Sequence, residues 1–98
     1  MANESPDLPD EFELPIDGVL DLHTFRPREV GELVPDYLAE CRARGILTVR
    51  IIHGKGTGAL RETVHSILKP IDYVRDFHLA MGDSGSWGAT VVELEPME

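Results

Sequence analysis

Apolar and polar residues are arranged along this chain in a pattern that predicts four strands and two helices. Residues 19–23, Val-Leu-Asp-Leu-His, alternate as a short strand does. Leu20 and Leu22 fall on one face, Asp21 and His23 on the other. Pro27 suits the first position of a helix. After it, Val30, Leu33, Val34, Tyr37, Leu38 and Cys41 recur at three- and four-residue steps, a helical stripe that ends at Gly45. Pro35 lies inside that stripe and removes a backbone donor, which predicts a kink or a split into two helices. Residues 46–52 read as a buried strand running into His53, and a glycine-rich segment, 53–58, follows without a break. A second helix starts near Ala59, carries Leu60, Val64, Ile67 and Leu68 on its apolar face, and stops at Pro70. Residues 73–80 form a third strand and 89–94 a fourth. Between them lies a Gly/Ser-rich loop holding the only tryptophan, Trp87.

The order is therefore βαβαββ. Two βαβ crossovers make the first three strands parallel, and the short last connection turns the fourth antiparallel. With only two helices, the α/β chain packs as a two-layer sandwich on a four-stranded mixed sheet. Residues 1–15, with three prolines and regularly spaced acids, read as a disordered acidic tail; 16–95 form the domain and 96–98 a short C-terminal tail.

Composition narrows the class. Ninety-eight residues, 42% hydrophobic, are enough for one small core. No apolar run approaches the ~20 residues of a membrane span, and the N-terminus lacks the basic start and apolar stretch of a secretory signal. The one cysteine forms no internal disulfide, which fits a reducing compartment, the cytoplasm, and nothing calls for more than a monomer. The net charge of −9 is unevenly spread. Residues 1–17 carry six acids and 93–98 carry three, with no base in either segment, so the body between them is neutral. A neutral body disfavours purely electrostatic binding to a duplex, but it leaves room for a specific phosphate site.

The chemistry-bearing residues gather at strand ends. Ligands of open α/β sheets bind beyond the carboxyl ends of parallel strands. Asp21 and His23 stand at the end of the first strand; His53, Gly54, Lys55, Gly56, Thr57 and Gly58 stand at the end of the second. If those strands are neighbours, two imidazoles, a carboxylate, an ammonium and a glycine-rich helix N-terminus meet at one edge. Glycines admit a close ligand, and helix N-termini favour anions. The segment 54–59 fits a dinucleotide fingerprint, but the chain is too short for two mononucleotide halves, and it contains no Walker loop.

Three motifs carry a resemblance. Leu20-Asp21-Leu22-His23, His53-Gly54-Lys55-Gly56-Thr57-Gly58 and the late turn Gly85-Ser86-Trp87-Gly88-Ala89-Thr90 resemble, in order and spacing, those of the Smr (small MutS-related) domain. That domain occurs at the C-terminus of MutS2-class proteins and free-standing, and this chain looks like a stand-alone example over about residues 17–95. Two positions depart from the pattern: Thr24 stands where the family usually has glycine, and Ser86 replaces a second glycine. The resemblance implies a fold similar to the C-terminal domain of bacterial translation initiation factor three. It also implies nucleic-acid binding, with DNA nicking or RNA cleavage by several members, in settings that include recombination, branched DNA and stalled ribosomes.

Phosphodiester cleavage needs a base, an acid and stabilisation of phosphoryl charge. The expected assignment has His23 activating a ribose 2′-OH or water, Asp21 orienting it, and His53 protonating the leaving oxygen or bonding the phosphate. The two histidine roles are interchangeable on spacing alone. Lys55 and the amides of Gly56, Thr57 and Gly58 would hold the phosphate, with Gly54 in the same loop; Arg26 is placed to touch flanking phosphates, and Trp87 to stack on an unpaired base. Taken singly, these residues have plainer readings: Asp21 as a turn cap, His23 bonded to backbone, Arg26 as surface charge, Trp87 as a loop anchor. His65 and His78 read as structural or solvated. No cofactor is required. Asp21, His23 and His53 are conceivable donors for a divalent metal, ranked second because H-E-x-x-H and a cysteine pair are both lacking. The alternative from another class is a non-catalytic nucleic-acid or ribosome-binding adaptor using the same phosphate site.

Overall fold

The computed structural model describes residues 15–54, 58–80 and 88–97. Residues 1–14 of the predicted N-terminal tail, Lys55, Gly56, Thr57 and Trp87 lie outside these. Strand β1 is Val19–Asp21, followed by a 3-10 turn, Leu22–Thr24; helix α1 is Pro27–Ala43, β2 Thr48–Ile52, α2 Ala59–Leu68, β3 Val74–Leu79 and β4 Ala89–Leu94. This is the predicted βαβαββ order. No helix among the described residues is long and apolar enough to cross a membrane.

Local chemistry explains the boundaries. Helix α1 starts on Pro27, and the Glu29 carboxylate accepts the Arg26 backbone N–H at 2.8 Å. It closes with a Schellman motif: Gly45, at φ +80°, donates to the Arg42 carbonyl, and Ile46 donates to that of Cys41. Of the kink or split predicted at Pro35, the split does not occur, and α1 runs through it as one helix. Proline deprives the Gly31 carbonyl of its donor, but Gly31 is exposed and water can serve it. Val34, Tyr37 and Leu38, buried on either side of the proline, hold the helix to the core.

The first strand is shorter than its alternation predicts. The Asp21 side chain accepts the His23 backbone N–H at 2.9 Å and turns the chain into the 3-10 segment. His23 therefore sits beyond the strand rather than on its face. Leu20 and Leu22 are nevertheless both buried, as the pattern requires.

The sheet order is β1-β2-β4-β3. β1 and β2 pair in parallel, with Asp21 opposite Ile52, and β4 lies antiparallel between β2 and β3. Strand β3 thus runs in the same sense as β1 and β2 without touching them. Leu20, Val49, Ile51, Val92 and Leu94 line the inner face and pack on Val30, Val34, Leu38, Cys41, Val64 and Leu68 of the helices. The buried Tyr37 hydroxyl accepts the Gly18 N–H and donates to the Val19 carbonyl, 3.0 Å away, fastening α1 to the start of β1. The consequence for function is the β1–β2 pairing, which sets the segment after Asp21 beside the segment after Ile52.

Candidate functional site

At the end of β1, one carboxylate oxygen of Asp21 accepts the His23 backbone N–H and lies 2.7 Å from the ring Nδ1. A carboxylate can only accept, so Nδ1 carries the hydrogen, and in the neutral ring Nε2 presents a lone pair. The backbone N–H is the main reason the Asp21 carboxyl is held below its ordinary value; slight desolvation opposes it, and the imidazole adds to it. Both side chains are open to solvent, 61% exposed for His23 and 55% for Asp21.

His23 Nε2 leans over the neighbouring strand end. A Cβ placed on Gly54 would lie 3.2 Å from it, and Gly54 itself has φ +83°. Glycine is required there twice, for backbone conformation and for the approach of the imidazole.

At the end of β2 the second imidazole has the opposite surroundings. His53 is 5% exposed, with Nδ1 3.0 Å from the Gly54 carbonyl and Nε2 2.8 Å from the Thr90 hydroxyl. The same hydroxyl is 2.8 Å from His65 Nε2 on α2. The two rings meet edge to face at 6.3 Å, and His65 tilts against Phe77 at 5.0 Å. Burial holds both histidines below their usual value; the Arg61 guanidinium adds to this at each, and His53 adds to it at His65.

The backbone of this corner is also committed. The Gly88 carbonyl accepts the N–H of both His53 and Gly54, each at 2.8 Å. The Gly54 amide is therefore already bonded and is not a donor for a phosphate. Gly58 caps α2 with φ +91°, and a Cβ there would come within 2.7 Å of an Arg61 guanidinium nitrogen. Arg61 thus folds back over a helix N-terminus, where an acid is the usual neighbour.

The structure brings Asp21, His23, Gly54 and the start of the glycine segment together. It places Arg26 in the open at the start of α1, and it turns His53 inward. The sequence reading gave no part in this corner to Thr90, quoted only within the late motif, to His65, read as structural or solvated, or to Arg61. Thr90 had a signal, because β4 puts it in phase with Val92 and Leu94, so a hydroxyl was destined for the core. Arg61 had a fainter one, a cation in the first turn of a helix. As metal donors, Asp21, His23 and His53 do not converge, since both ring nitrogens of His53 are engaged within the protein. Among the described residues no other group of three or more candidate ligands exists.

Comparison with known proteins decides the family. The Smr domain model matches residues 20–95, which include Asp21, His23, His53 and Thr90. The chain belongs to the Smr domain family. Its fold is similar to the Smr domain of Thermus thermophilus MutS2, with a TM-score of 0.75 and 39% identity over 82% of this chain and all of that one. It is also similar to YdaL, a stand-alone small MutS-related protein from Escherichia coli, with a TM-score of 0.74 and 25% identity over 97% of this chain and 81% of that one. Among curated relatives, the endonuclease MutS2 of Clostridium botulinum is 38% identical over 80 residues, 82% of this chain. This Smr domain spans only about 10% of that protein's length.

Proposed function

We propose that this Smr domain binds nucleic acid and cuts its phosphodiester backbone by proton transfer. The observation that carries the reading is the exposed Asp21–His23 pair, whose Nε2, unbonded among the described residues, faces the first glycine after β2. Asp21 fixes the ring and its tautomer. His23 Nε2 then takes the proton of a ribose 2′-OH or a water. The α2 N-terminus, with Arg61 across it and Lys55 in the preceding loop, offers positive charge to the phosphate. The name of the MutS2 relatives, endonuclease, supports nuclease chemistry here by analogy.

His53 takes a different part in this scheme from the one its spacing suggested. To protonate a leaving oxygen it would have to release either Thr90 or the Gly54 carbonyl. We assign it instead to holding the Gly54 backbone beneath His23.

That same observation favours a second reading, an adaptor that recognises nucleic acid through the phosphate site without cutting. One panel separates the two: labelled single-stranded RNA, duplex DNA and branched DNA, each with and without EDTA. Multiple-turnover cleavage of at least one substrate supports the nuclease; binding without cleavage supports the adaptor. Cleavage that persists in excess EDTA supports the proton-transfer route, and its loss would require a metal.

A further inference from the structure

The His53–Thr90–His65 chain joins three elements, and hydrogen-bond valence fixes its direction. The Gly54 carbonyl can only accept, so His53 Nδ1 carries a hydrogen. In the neutral ring Nε2 is then an acceptor, and the hydrogen it faces is that of the Thr90 hydroxyl, 2.8 Å away. Thr90 has one hydrogen and has donated it, so its oxygen must accept from His65 Nε2–H, also at 2.8 Å. The order is His65 to Thr90 to His53 to the Gly54 carbonyl, each group donating to the next. Thr90 is fully buried and His53 nearly so, so water is not at hand to replace a lost partner.

We propose that Thr90 and His65 are positioning residues that lock His53 as its Nδ1–H tautomer, and that this lock holds the Gly54 carbonyl and with it the Gly54 backbone under His23. The cleavage part of this proposal rests on the nuclease reading above; the tautomer part does not. A valine at position 90 keeps the shape of the side chain but removes the donor that His53 Nε2 has among the described residues. The Nδ1–H form is then no longer imposed, because the ring can turn or exchange its proton between nitrogens. His65 makes its contribution at one remove, by occupying the oxygen of Thr90 so that the hydroxyl hydrogen points to His53.

The test is long-range proton–nitrogen NMR of the histidine rings in uniformly 15N-labelled protein at neutral pH. The expected pattern is a protonated Nδ1 with a bare Nε2 at His53, and a protonated Nε2 at His65. Thr90→Val should abolish the fixed pattern at His53 and, where the wild type cleaves, slow cleavage on the order of 100-fold, the scale of a misplaced reacting group. Thr90→Ser should restore both. His65→Gln, which keeps an N–H donor, should retain the His53 pattern, and His65→Leu should blur it. A wild-type His53 protonated at Nε2 overturns the proposal without any variant having to fold. So does a folded Thr90→Val protein with unchanged His53 signals. If the wild type cuts none of the substrates, the nuclease reading fails while the ring spectra still decide the tautomer lock.

Discussion

The ends of β1 and β2 lie side by side, yet they treat the same side chain in opposite ways. His23 stands in solvent, bonded through Nδ1 to a carboxylate, with Nε2 unbonded among the described residues. His53 is enclosed, with both nitrogens bonded to uncharged groups of the protein. An imidazole paired with a carboxylate and open to water can gain and lose protons at little structural cost. One that spans a hydroxyl and a carbonyl in the interior cannot be charged without disturbing that network. Two histidines in two family motifs are thus different devices, one placed to exchange protons and one placed to hold backbone.

The contrast can be broken most forcibly at the buried member. His53→Ala removes the partner of the Thr90 hydroxyl and of the Gly54 carbonyl and leaves a gap, so stability should fall by about 2–3 kcal/mol. Equilibrium denaturation measures this, and a change near zero would show that the network contributes little to the fold. Gly54→Ala strikes the junction of the two regions. A left-handed φ and a Cβ 3.2 Å from His23 Nε2 should cost about 1–2 kcal/mol and displace the imidazole, slowing cleavage on the order of 100-fold. Normal rates in that variant would mean that His23 does not work in the position seen here.

A subtler substitution sharpens the exposed side. Asp21→Asn keeps an oxygen for the His23 backbone N–H but removes the charge behind the ring. Cleavage should fall about tenfold with only a slight loss of stability, the scale of exchanging a charge-assisted hydrogen bond for a neutral one. The smallest effect is in pH. His53 and His65 both sit below the usual histidine value of 6.5 when folded, so the unfolded chain binds more protons between that value and the lowered ones. Their stabilising contribution is complete above pH 6.5 and drains away as the pH falls below it. Asp21 acts in the same direction only lower, as the pH falls below its ordinary 3.8. A melting temperature that declines from neutral pH toward pH 5 fits this; a flat profile over that range does not.

Much of this was legible in the chain. Strand β4 falls on the predicted residues 89–94, and helices α1 and α2 begin at Pro27 and Ala59 as their periodicity and neighbours indicate. These features are set by local patterns. The unbroken α1 was not legible, because the exposure of Gly31 and the anchoring of Val34, Tyr37 and Leu38 are properties of the packed domain. The insertion of β4 between β2 and β3 was not legible either, since a hairpin-length loop is compatible with either side of β3. At the site, adjacency of the Asp21 and Gly54 segments followed once β1 and β2 were neighbours. The inward turn of His53 did not follow, because it depends on a hydroxyl 37 residues away in sequence, with a further imidazole from α2 on the same oxygen. The phase of β4 marks Thr90 as buried, but its partners, like the part played by His65, come only from the fold.

The most direct measurement on the central claim is the cleavage rate of His23→Ala beside its own thermal melt. His23 is exposed and its ring holds no core group in place, so the variant should melt as the wild type does while cleavage drops by at least about 100-fold. Cleavage at the wild-type rate by the folded variant would contradict the account.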